Sequence, residues 1–153
     1  MERTLVLIKP DAVQRNLVGD ITQRFERKGL KLVGLKLIQL DSKILKEHYA
    51  HLLDKPFYPG TEKFMQSSPV VAQCWEGFEA VEVVRQMCGV TNSRKALPGT
   101  IRGDFGISVQ CNLVHASDSL DTAKKEVPRF FAVNEVLNYE KMGPEYLYAP
   151  DEK

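Results

Sequence analysis

Four short apolar runs, RTLVLIKP, LKLVGLKLIQL, PVVAQCW and NLVHA, alternate with stretches of helical spacing, and their order restricts the folds open to this chain. RTLVLIKP is a β-type run stopped at Lys9 by Pro10; LVGDITQRFERKG then sets Val18, Ile21 and Phe25 at helical intervals and stops at Gly29. LKLVGLKLIQL alternates imperfectly, but its length and β-branched content favour a long strand over a helix. SKILKEHYAHLLD is a helical patch with Ser42 as N-cap, KPFYPG a corner, and TEKFMQSS a short helix. PVVAQCW is the third strand and EGFEAVEVVRQMCG a helix ended by Gly89. NLVHA is the last strand, and DSLDTAKKEVPRFF a helix with Asp118 as N-cap and Asp121 as N3 acid. With the small helices after the second strand set aside, the order is the split βαβ of a ferredoxin-like α+β fold. The expectation is βαββαβ: a four-stranded antiparallel sheet with helices covering one face.

Residues 90–111 interrupt that pattern. VTNSRKALPGTIRGDFGISVQC has little periodicity, and structureless insertions this long in a compact domain are usually functional or disordered. It carries Arg94, Lys95 and Arg102.

At 153 residues and 43% hydrophobic content the chain is expected to form one domain over 1–153, with 143–153 as a C-terminal extension that reaches toward a neighbouring subunit. The formal net charge of +1 supplies no global field to recruit nucleic acid or an anionic membrane, so an anionic ligand has to be held locally. Cys74, Cys88 and Cys111 are odd in number and widely spaced, which fits neither a disulfide framework nor zinc spacing; they read as free thiols in a reducing compartment. MERTLVLIKP lacks an extended apolar core, and no run approaches the ~18 apolar residues of a membrane span, so the expected location is the cytoplasm.

The segment CNLVHASDS brings a strand into a histidine and then into the start of a helix. A lone histidine is more often a packed core or surface residue, but the neighbours of His115 argue for chemistry. The helix opened by residues 117–119 offers unpaired N–H groups and a positive dipole end to an anion beside the imidazole. Glu126, two turns into that helix, either folds back to accept from one ring nitrogen or stands as a solvated surface acid. An ordinary histidine, with a pKa of about 6.5, is mostly neutral near pH 7 and can attack without a separate base. Phosphorus is the natural electrophile, because Lys9, Arg85 and Arg102, with the hydroxyl of Thr91, all stand at loop or element ends. Neither GxxxxGK[ST] nor GxGxxG occurs, so a phosphate site here is neither a P-loop nor a dinucleotide fingerprint.

LIKPDAVQR, KEHYAHLLDKPFY, SPVVAQCWEG, GVTN, PGTIRGDF and NLVHASDS resemble, in order and spacing, the nucleoside diphosphate kinase family, over residues 3 to about 140. The resemblance implies transfer of the γ-phosphoryl of a nucleoside triphosphate to a nucleoside diphosphate, in a ping-pong cycle through a phosphohistidine, with Mg²⁺ held mainly by the nucleotide phosphates. It implies His115 as nucleophile through Nδ1, oriented by Glu126, with Lys9 and Asn112 at the sugar hydroxyls and nearby phosphates. It likewise implies Arg85, Thr91 and Arg102 on the phosphate chain, Tyr49 near the transferred group, Phe57 stacked on the base and Val109 closing the other side. The long loop becomes a nucleotide-binding and subunit-contact loop, and the implied assembly is a homo-oligomer, a hexamer first.

The chain departs from the family pattern at Ala12 and Ala116, where glycine is usual, and at Ser93, where many members have proline. The two alanines are small; Ser93 loosens a loop that proline would stiffen, which bears on assembly. Two other readings are weaker. RGDFGISV faintly resembles the RNP1 pattern of RNA-binding domains, but Asp104 occupies an aromatic position. His48 and His51 share a helix face as an i, i+3 pair suited to a metal, but no third ligand lies nearby in sequence.

Overall fold

The computed structural model describes residues 1–152. Its elements are β1 (Glu2–Ile8), α1 (Pro10–Gln14), α2 (Val18–Arg27), β2 (Lys31–Ile38), α3 (Ser42–His48), α4 (Tyr58–Met65), β3 (Val70–Gly77), α5 (Ala80–Cys88), α6 (Ile101–Phe105), β4 (Val114–Ala116) and α7 (Leu120–Phe130). The strands form one antiparallel sheet in the order β2-β3-β1-β4, the ferredoxin-like arrangement.

Side chains alternate across the pleat of β1, and both of its faces are buried. Val6 and Ile8 pack with Ile21 and Phe25 of α2, Trp75, and Val84 of α5, so the two helices of the βαββαβ core cover one face as the pattern demands. Leu5 and Leu7 point the other way into a second core with Leu45 of α3, Met65 of α4 and Phe130 of α7. One face was expected to carry the helices; the second is covered as well, by the small helices set aside in the sequence pattern and by the end of α7. Leaving it bare would expose Leu5, Leu7 and Ala72, whose burial favours the covered sheet by about 25 cal/mol per Å² of apolar surface.

Two helix starts move by one residue. Asp41, not Ser42, caps α3, its carboxylate accepting from the Ile44 N–H at 2.8 Å. Ser119, not Asp118, caps α7, accepting from the Thr122 N–H at 3.1 Å. Adjacent polar residues compete for the cap at both sites, and both types are good caps. The long loop holds more order than its sequence suggests: a 3₁₀ turn at Ser93–Lys95 and α6, which is capped by the Thr100 hydroxyl. Five residues are too short for a helical period to register.

Ser93 is buried, its N–H donating to Ser108 O at 3.3 Å while its hydroxyl has no partner among the described residues. That hydroxyl sits where a Cβ at position 106 would lie, so the loop closes on itself only with Gly106. The tail packs on its own chain, with Leu147 on Gly29 and the Tyr148 ring edge-on to Phe78 at 4.8 Å. Just before it, Tyr139 donates to Leu32 O at 2.7 Å.

Candidate active site

β4 is an edge strand paired only with β1, with His115 opposite Leu7. Its neighbours Val114 and Ala116 face the α2/α5 core, so His115 points to the other side, toward α3 and α7. There its Nε2 lies 3.1 Å from both carboxylate oxygens of Glu126. Glu126 is buried, and the alternative of a solvated surface acid is lost. The Ser117 hydroxyl donates to Glu126 at 2.6 Å and accepts from the Leu5 N–H at 3.3 Å, which ties the carboxylate to the central strand. Burial pushes the Glu126 carboxyl up, but hydrogen bonds from His115 and Ser117 outweigh it and hold the pKa at about 2. A carboxylate so held accepts the Nε2 proton, and Nδ1 is left as the free nitrogen.

Lys9, Tyr49, Arg85, Thr91, Arg102, Asn112 and His115 line one cavity of about 380 Å³. The sequence drew them from five separate segments. Lys9 donates to Asn112 Oδ1 at 2.7 Å, and Asn112 donates to Thr91 O at 3.0 Å. Burial, followed by the charge of Arg102, pushes Lys9 down to about 8. Burial pushes the Tyr49 phenol up, so it stays a protonated O–H. Arg102 is more than a cavity cation, because it donates to Asn112 O at 3.2 Å, Gly89 O at 2.6 Å and Val114 O at 2.6 Å. Phe57 and Val109 do not line this cavity; both are about half exposed on the surface. Their segments approach one another at Gly60 and Gln110.

Leu113, Asp11, Asp118 and His48, none of them placed at this site by the sequence, support it. Leu113 has φ +74°, a conformation costly for a branched side chain. It is held by both backbone groups: its N–H donates to Asp11 Oδ2 at 3.1 Å and its carbonyl accepts from the Lys9 N–H at 2.8 Å. That clamp fixes β4 against the β1–α1 turn. Asp11 lies within LIKPD, yet nothing local marks an acid whose partner is 102 residues away. Asp118 lines the cavity as its single carboxylate. His48 is buried with its ring edge-on to His115, centroids 4.5 Å apart, and Arg129 donates to its Nδ1 at 3.3 Å. Burial, then the charges of His115 and Arg129, push His48 down to about 3, so it is a neutral wall. His51 is exposed, and the i, i+3 metal pair does not form. Residues 101–105 are helical, so the RNP1-like stretch has no strand on which to present aromatics.

The sequence pattern of the family described as nucleoside diphosphate kinase matches residues 2–136. The chain belongs to the nucleoside diphosphate kinase family. It is 53% identical over 152 residues to the nucleoside diphosphate kinase of Parabacteroides distasonis, covering 99% of each chain. It is 50% identical over 152 residues to that of Rhodopirellula baltica, covering 99% of this chain and 100% of the relative. A halophilic nucleoside diphosphate kinase from Halobacterium salinarum, solved in complex with CDP, aligns with a TM-score of 0.94 at 45% identity over 96% of this chain and 98% of that one. Family membership makes the chain a phosphotransferase that handles nucleotides. None of the described helices is long and apolar enough to cross a membrane.

Proposed function

We propose that the chain moves the γ-phosphoryl of a nucleoside triphosphate to a nucleoside diphosphate in two half-reactions through phosphorylated His115. The observation that carries this reading is the His115 Nε2 contact with Glu126 at 3.1 Å, with the ring at a cation-lined cavity. In the first half, the Nδ1 lone pair attacks the γ-phosphorus, the N–P bond forms, and the bridging oxygen leaves with the diphosphate. The imidazole then carries positive charge with its proton still on Nε2, and the Glu126 carboxylate stabilises that charge. In the second half, a terminal oxygen of the acceptor diphosphate attacks the same phosphorus and the N–P bond breaks.

Lys9, Arg85, Thr91 and Arg102 hold the phosphate chain, Tyr49 lies close to the group in transfer, and Asn112 with Lys9 serves the sugar hydroxyls. Mg²⁺ arriving with the nucleotide would supply charge neutralisation at the phosphates, beside Lys9, Arg85 and Arg102. With Asp118 as the cavity's one carboxylate, the donor set fits an ion held mainly by phosphates. The base stacks on Phe57 with Val109 opposite. Phe57→Ala is expected to weaken every nucleotide by a similar factor, about 5- to 150-fold for a stacking loss of ~1–3 kcal/mol. Affinities for ADP, GDP and CDP measured side by side check this, and a loss confined to purines would sink stacking as the base contact.

Lys9 must be charged to attract phosphate, and its pKa of about 8 places its discharge just above neutrality. kcat/KM, which reports the free enzyme, is expected to fall as pH rises through about 8. Lys9→Arg, which stays charged, is expected to flatten that limb, and a fall that persists unchanged in Lys9→Arg would assign it elsewhere.

β2 is an edge strand of the sheet and exposes Leu35 and Leu37, which supports a homo-oligomer, with a hexamer the first expectation. The three free thiols support a reducing, cytoplasmic setting. The test of the reaction is direct: mix the protein with γ-labelled ATP and Mg²⁺, isolate it, and add GDP. Acid-labile label that leaves as GTP is the expected result; failure to retain label would defeat the ping-pong reading.

A further inference from the structure

His48, His115 and Glu126 offer three metal-ligating atoms within 4.8 Å of one another, the one such group among the described residues. We propose that these side chains form a regulatory site for Zn²⁺ that switches the enzyme off by capturing His115 through Nε2.

Zinc bonds of about 2.0–2.2 Å in tetrahedral geometry place neighbouring ligand atoms about 3.3–3.5 Å apart. His115 Nε2 to Glu126 Oε1 is 3.1 Å and His48 Nδ1 to Glu126 Oε1 is 3.6 Å, so two edges of the ligand triangle already bracket that value. Two imidazoles and one carboxylate suit Zn²⁺; Mg²⁺, which prefers an all-oxygen shell, is not taken. A second cavity of about 490 Å³ is lined by all three residues and shares Tyr49, His115 and Asp118 with the first. It gives the ion a way in and a solvent-facing fourth position.

The inhibition follows from the tautomer, and it rests on the reading of His115 as an Nδ1 nucleophile. In the resting site the proton is on Nε2 and the lone pair on Nδ1. Zn²⁺ takes the Nε2 lone pair, and the displaced proton moves to Nδ1. No proton or electron is gained or lost, but no lone pair remains for phosphorus. Nucleotide binding is untouched. Phosphorylated His115 cannot shift its proton to Nδ1 and would have to expel it into solvent, so phosphorylation opposes the metal. By linkage the metal opposes phosphorylation.

Arg129 guards the site. Its Nη1 donates to His48 Nδ1, the nitrogen the ion needs, while its Nε holds the exposed carboxylate of Glu47 at 3.1 Å. The guanidinium can follow Glu47 outward, at a cost that weakens the metal. Arg129→Gln is therefore expected to bind Zn²⁺ more tightly, an effect that misfolding cannot imitate.

The experiment titrates nucleotide-free protein, with Cys111→Ser to remove the exposed thiol, with Zn²⁺ alone by calorimetry. In parallel, the zinc-loaded protein is challenged with γ-labelled ATP and excess Mg²⁺. The expected result is one Zn²⁺ per chain, loss of labelling reversed by a chelator, and ADP affinity unchanged. His48→Gln should lower zinc affinity at least tenfold, Arg129→Gln should raise it, and prior phosphorylation should lower it. Zinc affinity indifferent to both variants, or inhibition that tracks displacement of ADP, would overturn the proposal. Absence of label without zinc defeats the phosphohistidine reading instead, and normal labelling in saturating zinc defeats only this inference.

Discussion

His115→Gln is expected to abolish the phosphoenzyme and to lower turnover by about 10⁴-fold or more, the scale seen when a covalent catalyst loses its nucleophile. The size follows from the cavity. At about 380 Å³ it holds His115 as its single imidazole, among the cations Lys9, Arg85 and Arg102. In the two-step path no other imidazole stands there to take up the phosphoryl group, so loss of the nucleophile is expected to stop the cycle. Glutamine is the informative replacement because its amide N–H can still donate to Glu126, which avoids leaving a buried carboxylate without its donor. Nucleotide affinity should change by only a few-fold, since Lys9, Arg85 and Arg102 are untouched. Stability should stay within about 1 kcal/mol of the parent. Equilibrium binding of ADP, thermal unfolding and acid-labile labelling separate these effects. Retained label in His115→Gln would move the nucleophile to another side chain.

The strand and helix order was legible because each core element presents its period: alternation buries both faces of β1, and the α2 spacing places Ile21 and Phe25 on Trp75. The candidate nucleophile and its cations were legible because they stand in short segments of distinctive order. Glu126 aside, the support for the nucleophile was not. Ser117 and Glu126 meet only after α7 folds back on β4, and Asp11 reaches the strained Leu113 across 102 positions. His48 was visible as half of a helical pair with His51, but a helix period cannot say which face meets a strand 67 residues on, and it is His48 alone that turns inward. Sequence spacing reports local periodicity, whereas a catalytic shell is assembled from separations that carry no period.

Arg102 shows the same limit with a larger consequence. As a residue type at a loop end it reads as a phosphate ligand, yet three of its five N–H groups already serve the carbonyls of Gly89, Asn112 and Val114. It thereby joins the end of α5 and the long loop to the segment that leads into His115, at Asn112 and Val114. Arg102→Leu is expected to lose three charge-assisted bonds at about 1.5–3 kcal/mol each, a destabilisation of about 4 kcal/mol or more. For a chain of this size that is a fall in Tm of about 10 °C or more. Protein concentration must be held fixed in the comparison, since any oligomer links stability to mass action. Activity should fall too, because Val114 flanks the nucleophile and Asn112 precedes the strained Leu113. Arg102→Lys distinguishes the two duties: a point charge can still attract phosphate, but it cannot span three carbonyls. It should recover part of the nucleotide affinity and little of the Tm. If Arg102→Leu unfolded within about 1 kcal/mol of the parent while activity vanished, the guanidinium would act on phosphate alone, and the clamp would add nothing measurable to the fold.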